Sequence, residues 1–241
     1  MPELASKIWI IDDGLFTDTL ERLGEARPIA DQLACDVGVL IASAAAPAVE
    51  TLFAHGADDV VHLNVTSTGV RTLLDAAIEH VVPLQPMVLF APYERFGRSF
   101  AALLAVKTGW ELISPALSVQ MRRDDIVAMA LDNSGRRTRQ MVLDRHQSAI
   151  ATIRAGVAEA VAPDRSRIGR FIKIEGISQT EPITEERQIA ADPATTDIRY
   201  LERLIAGGRG LGDRTGFELL RRIADKLHAG VAASRMAVSP T

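Results

Sequence analysis

Four short runs decide how this chain folds: KIWIID at Lys7–Asp12, VGVLIAS at Val37–Ser43, DVVHLNV at Asp59–Val65 and PMVLFAP at Pro86–Pro92. They alternate with stretches whose apolar residues recur at spacings of three and four. That alternation predicts a mainly parallel sheet with helices on both faces. Strands buried on two faces read as nearly unbroken apolar runs, and VGVLI and MVLF do so. The helices are expected over Thr17–Leu33, Ala46–His55, Gly69–Val82 and Arg95–Thr108. Pro28 lies inside the first. It lacks an N–H and crowds the preceding turn, so a kink or a restart is expected there.

Beyond Trp110 the apolar period changes to two. ISPALSVQM (Ile113–Met121), IVAMALDNSGRRTRQMVLD (Ile126–Asp144) and SAIATIRAG (Ser148–Gly156) read as added antiparallel strands that end the first region, with Asp132-Asn133-Ser134-Gly135 as a hairpin loop. FIKIEGI (Phe171–Ile177) is a further strand. The polar run from Ser178 to Arg199 holds two prolines and no sustained apolar period, which predicts an arm. From Tyr200 the chain reads strand, glycine-rich turn, helix, short strand. Thr215 and Glu218 form an expected capping box, and Gly230 an expected helix stop.

Composition narrows the function classes. Of 241 residues, 47% are hydrophobic and 24% charged, which suits a globular chain with a sizeable core. The net charge is −4 and the basic residues are scattered, so no cationic face for nucleic acid is expected. No apolar stretch reaches the roughly 18–20 residues of a membrane span. The single cysteine, Cys35, cannot close an internal disulfide, and the opening MPELASKIWIIDDG lacks the pattern of a signal peptide. A reducing, cytoplasmic setting is expected.

The glycine-rich turn carries the most chemistry. A strand leading through Gly207-Gly208-Arg209-Gly210-Leu211-Gly212 to a helix start brings backbone N–H groups and a helix dipole to one concavity, a seat for an anion. Arg209 adds a fixed charge of fork geometry suited to a phosphate. A tight turn whose glycines only permit packing is the equal alternative. The pattern lacks Gly-Lys-Ser/Thr, so triphosphate hydrolysis is not expected. Asp12 and Asp13 end the first strand, where α/β sheets often bind ligands; a solvated acidic loop is the plainer reading. The histidines (His55, His62, His80, His146, His228) show no metal spacing, and Cys35 has no neighbouring base, so neither a metal site nor a catalytic residue is assigned.

The GGRG turn, the helix and strand GFELLRRIADKLHAGVAASRMAV (Gly216–Val238) and their spacing closely resemble the alpha subunit of electron transfer flavoproteins. The likeness continues upstream in LGEARPIADQLACDVGVLI (Leu23–Ile41), FAHGADDVVHL (Phe53–Leu63), LFAPYERFGRSFAALLAVKTGWELIS (Leu89–Ser114) and ATIRAGVAEA (Ala151–Ala160), and so covers nearly the whole chain. It implies an α/β domain of nucleotide-binding type over 1–177, an arm over 178–199 and a partial FAD-binding domain, an incomplete βαβ unit, over 200–241. It further implies an FAD held by Gly207, Gly208, Arg209, Gly210, Ser234 and Arg235, the last against the flavin rings. A cation there favours the reduced, negatively charged ring and raises its potential. The implied partner is an electron transfer flavoprotein beta-type subunit in a heterodimer, with a flavin dehydrogenase as electron donor and any AMP in the partner subunit. The protein would then be a carrier with no substrate of its own.

The chain also departs from the family. After Ser234-Arg235 the family continues with an acidic residue and glycine, a Gln-Thr-Gly segment and a Ser-Gly stretch with a histidine. This chain reads Met236-Ala237-Val238-Ser239-Pro240-Thr241. In the first domain the family's acidic residue gives way to Pro115 after Ile113-Ser114. The expectation is a C-terminally shortened or split member. Its rivals are a redox-inactive scaffolding subunit that has lost the flavin, and a module holding AMP near Asp12 and Asp13.

Overall fold

The computed structural model describes residues 4, 6–12, 16–65, 69–94, 96–123, 125–132, 136–144, 146–175, 198 and 201–238. The chain divides into two compact units, Met1–Ile183 and Thr184–Thr241. Asp13, the hairpin tip at 133–135 and nearly all of the expected arm lie outside the described residues.

In the first unit the four opening runs become parallel strands: β1 (Ile8–Asp12), β2 (Val37–Ser43), β3 (Asp59–Asn64) and β4 (Val88–Pro92). Between them run α1 (Phe16–Leu33), α2 (Val49–Ala54), α3 (Val70–His80) and, after β4, α4 (Gly97–Thr108). The chain then makes β5 (Glu111–Arg122), β6 (Asp125–Leu131), β7 (Thr138–Leu143), β8 (Ala149–Ile153) and β9 (Arg170–Glu175). Among the described residues these nine strands form one sheet in the order β7-β6-β5-β8-β4-β1-β2-β3-β9. The neighbours from β5 to β9 in that order pair in parallel, and only β6 and β7 are antiparallel additions; β8, expected among the antiparallel strands, is parallel to both neighbours because it inserts between β4 and β5 in the centre of the sheet. The α/β class read from the alternation is the architecture found.

One apolar layer sits on each face, which is why the central strands lack polar alternation. Ile8, Ile10, Val39, Val60 and Phe90 pack with Leu23, Ala26, Ile29 and Ala30 of α1. Trp9, Ile11, Leu40, Val61 and Leu89 pack with Leu73, Ala77, Phe100 and Leu104 of α3 and α4. That first layer corrects the expectation at Pro28. The proline stands inside α1, which continues from Phe16 to Leu33 without the restart that was one form of the expectation. A restart there would pull Ile29 and Ala30 out of the core, and their burial offsets much of the proline penalty of about 3 kcal/mol.

The segment from β8 to β9 crosses the α1/α2 side and is tied down along its length. Gly156 N donates to Glu21 Oε2 at 2.7 Å, His55 Nδ1 lies 2.7 Å from the Val161 carbonyl, and Asp164 N donates to Ala54 O at 2.8 Å. At its far end Asp58 accepts from Arg27 (2.6 Å), Arg167 (2.8 Å) and the Val37 N–H (2.9 Å), while Asp59 accepts from Ser6 (2.6 Å) and Arg170 (2.8 Å). The nearly buried Arg27 guanidinium thus has carboxylate partners, as a buried charge requires.

The second unit is a single parallel βαβ turn. β10 (Leu204–Gly207) pairs with β11 (Gly230–Ala233), joined by α5 (Arg214–Leu227) and followed by the short α6 (Arg235–Val238). Both ends of α5 differ from expectation. The N-cap is Asp213, not Thr215: its Oδ1 accepts from Thr215 N at 2.9 Å and Gly216 N at 3.4 Å. The C-cap is His228 in the left-handed region, φ +49°, and Gly230 already belongs to β11. Histidine is among the side chains that enter that region most readily.

Candidate functional site

The carboxyl ends of β10 and β11 bring two separated motifs together. Gly207 ends β10 opposite Ala233, and one residue further Ser234 N donates to the Gly207 carbonyl at 2.9 Å. Gly208–Gly210 and Ser234–Arg235 therefore leave the same edge side by side. Gly208 leads into a 3-10 turn, Arg209–Leu211, closed by Leu211 N on Gly208 O (3.1 Å) and Gly212 N on Arg209 O (3.1 Å). The leading N–H groups of such a turn have no partner inside it and face outward.

The glycines of this turn do different work. A methyl at Gly207 would stand 2.5 Å from Leu211 Cδ1 and 2.8 Å from Phe217 Cε1, so any side chain there would force the packing beneath the turn to shift. Gly212, at φ +76° and ψ −84°, is required by the backbone itself. A methyl at Gly208 or Gly210 would meet no atom within 4 Å. At those two positions the protein leaves space that a ligand can fill. Arg209 and Arg235 are exposed beside it, and neither has a carboxylate partner among the described residues.

At α5 the helix start carries a side-chain cap that the anion-seat expectation did not include. Asp213 takes up two of the helix-end N–H groups with its own carboxylate, and the exposed Arg214 at the helix start lies 3.3 Å from Glu218. The signal was present in the sequence, because aspartate just ahead of a helix is a preferred cap.

A family model described as "Electron transfer flavoprotein domain" matches residues 13–177, and one described as "Electron transfer flavoprotein FAD-binding domain" matches residues 197–241. The chain belongs to the electron transfer flavoprotein alpha-subunit family. It is 28% identical to Protein FixB of Clostridium saccharobutylicum, over 91% of this chain and 68% of that protein. It is 26% identical to the electron transfer flavoprotein subunit alpha of Clostridium acetobutylicum, over 96% of this chain and 73% of the relative. The corresponding subunit of Bacillus subtilis is 28% identical over 83% and 62%. The glycine turn lies within the stretch that matches the FAD-binding domain of the electron transfer flavoprotein family.

The first unit of this electron transfer flavoprotein chain offers weaker candidates. Asp12 ends β1 and is buried, beside the crevice where the strand order reverses between β1 and β4. Tyr93, just past β4, has the Arg98 and Arg154 guanidinium carbons 5.0 and 4.7 Å from its ring centroid. The Ser43–His62 pair looks like a nucleophile and base but cannot act as one. His62 Nε2 lies 3.0 Å from the Ser43 carbonyl, which only accepts, so that nitrogen carries the proton; the Ser43 hydroxyl donates to Ala45 O at 2.8 Å. Burial pushes the Cys35 thiol up, which makes it a poor nucleophile. Among the described residues no three His, Cys, Asp or Glu side chains gather as metal ligands would, and no helix is long and apolar enough to cross a membrane.

Proposed function

We propose that this chain is an electron-carrying alpha-type subunit that holds FAD at the carboxyl ends of β10 and β11 and works with a beta-type subunit between a flavin dehydrogenase and an acceptor. The observation that carries the reading is the junction of Gly207–Gly210 with Ser234–Arg235 inside the stretch matched by the family's FAD-binding domain. Gly208 and Gly210 admit the ligand against bare backbone. Arg209 supplies a guanidinium for the phosphates, and the N–H groups leading the 3-10 turn are placed to donate to them. Ser234 is fixed to Gly207 through its peptide N–H, which sets where the Arg235 side chain starts. That cation, beside the flavin ring, favours the reduced form because it offsets the charge gained on reduction. When bound, FAD supplies the one- and two-electron chemistry. Carriage requires no further catalytic side chain.

The test is to purify the full chain alone and with its beta-type partner, add FAD, remove the excess, and record the visible spectrum and bound flavin. Flavin absorption retained in the complex is expected. No retained flavin in either sample would leave a partner-binding subunit without redox function.

A further inference from the structure

A cleft of about 650 Å³ opens in the first unit between α2 and the loop that leads into β9. Small-molecule sites run at roughly 300–1,000 Å³, with an apolar lining and a few polar groups. The walls of this cleft are fixed before any ligand arrives. Asp164 N donates to the Ala54 carbonyl at 2.8 Å, and His55 Nδ1 lies 2.7 Å from the Val161 carbonyl. Gly169 presses so closely on the floor that a methyl there would stand 2.5 Å from the Phe53 ring. Phe53 and Pro163 make the lining apolar, and Ile168 beside them is 91% exposed, an aliphatic side chain that a ligand would remove from water.

The two walls carry opposite charges that lack partners. On the loop side, Arg167 is held by Asp58 at 2.8 Å, and Asp164 turns its carboxylate onto the Ser166 N–H and hydroxyl at 2.9 and 2.6 Å. Arg165 is left with no carboxylate partner among the described residues. On the α2 side, Glu50 has no cationic partner among the described residues and does not close the cleft by pairing with Arg165. His55 adds an acceptor to that wall: the Val161 carbonyl only accepts, so Nδ1 carries the proton and Nε2 of the neutral ring accepts. One wall therefore receives hydrogen bonds and the other donates them.

We infer that this cleft binds a small amphoteric molecule: an apolar body over Phe53 and Ile168, an ammonium group received by Glu50 and His55, and a carboxylate received by Arg165. Such a molecule gains a charge-assisted hydrogen bond on each wall. A molecule with only one of the two charges leaves the opposite wall's ion covered and unpaired, which costs affinity. The inference concerns the first unit and does not depend on the flavin reading of the second.

The experiment titrates the full chain with three probes of one shape: L-phenylalanine, phenylpropionate, which lacks the ammonium group, and phenylethylamine, which lacks the carboxylate. Binding is read by calorimetry and located by amide chemical shifts. L-Phenylalanine is expected to bind at least tenfold tighter than either singly charged probe, with shifts confined to residues 50–55 and 163–169. Arg165→Gln should remove its advantage over phenylethylamine, and Glu50→Gln its advantage over phenylpropionate. Ile168→Ser should weaken all three probes alike. These three side chains are exposed, so the fold should survive each change, which circular dichroism checks. No saturable binding of L-phenylalanine, equal affinity for the three probes, or shifts centred elsewhere overturns the inference. So do unchanged affinities in Arg165→Gln and Glu50→Gln.

Discussion

The two units of this chain use the same parallel βα grammar and bury it to very different depths. In the first, every residue of β1, β4 and β8 is buried, and helices cover both faces of the sheet. In the second, a two-stranded sheet and one helix bury only Gly207, Leu220 and Ala224, while Leu219, Ile223 and Leu227 on successive turns of α5 remain 48%, 42% and 50% exposed. The first unit therefore carries its own stability. The second holds a precisely shaped turn on a slight support, because a single βαβ unit of this size removes little apolar surface from water.

The largest test of that contrast is Phe90→Ala, in the middle of β4. Removing this wholly buried ring should cost about 3–5 kcal/mol in urea unfolding of the first unit, whereas Ile223→Ala on α5 should change stability by only about 0.5 kcal/mol. Similar shifts for the two variants would abolish the distinction. Asp58→Ala should come next, at about 3 kcal/mol, because it strips Arg27, Arg167 and the Val37 N–H of their shared acceptor. Amide exchange should then rise over residues 154–170 before it rises in β1.

Within the second unit the comparison narrows to adjacent glycines. Gly207→Ala should cost about 1–3 kcal/mol, since its methyl would strike Leu211 and Phe217, and should disturb the turn. Gly208→Ala should leave α5 intact by circular dichroism yet weaken FAD binding in the proposed site, because the methyl enters only the open space. Unchanged FAD affinity in Gly208→Ala would place the ligand away from that face.

The smallest expected effect is a pH dependence in the first unit. Burial raises the Glu25 carboxyl above its ordinary 4.5, partly offset by the Val119 N–H that donates to it at 2.6 Å. A carboxyl whose folded value is raised stabilises the fold when protonated, and that contribution is lost as pH rises through the folded value. Glu25→Gln, which keeps an acceptor for Val119, should be at least as stable as the unaltered chain at neutral pH. Its stability should also vary less as pH rises from 4.5. A steeper profile in the variant would contradict this.

Much of the first unit was legible in the sequence because its signals are long and redundant: four apolar runs, helical spacing between them, then a change to period two. The position of β8 was less accessible. Its pairing between β4 and β5 is a long-range choice, made by side chains such as Ala151 and Ile153 in the shared core. Pro28 shows local preference yielding to burial, and no local signal announces that. In the second unit the glycine turn stood out because only glycine suits positions such as Gly212. The cap was misassigned because Asp213 and Thr215 both satisfy capping chemistry, and only backbone geometry separates them. The Arg27–Asp58–Arg167 network was invisible, since its members are 31 and 109 residues apart.

The outermost strand, β9, closes an edge opened far earlier in the chain. Its Arg170 and Glu175 join Asp59 and Asn64 across 111 residues. At roughly 5–20 residues per second of synthesis, β3 stands unpaired on that side for roughly 5–20 seconds after it emerges. During that interval β3 is an apolar strand edge open to neighbouring chains, so the speed with which β9 arrives bears on whether the nascent chain folds or aggregates.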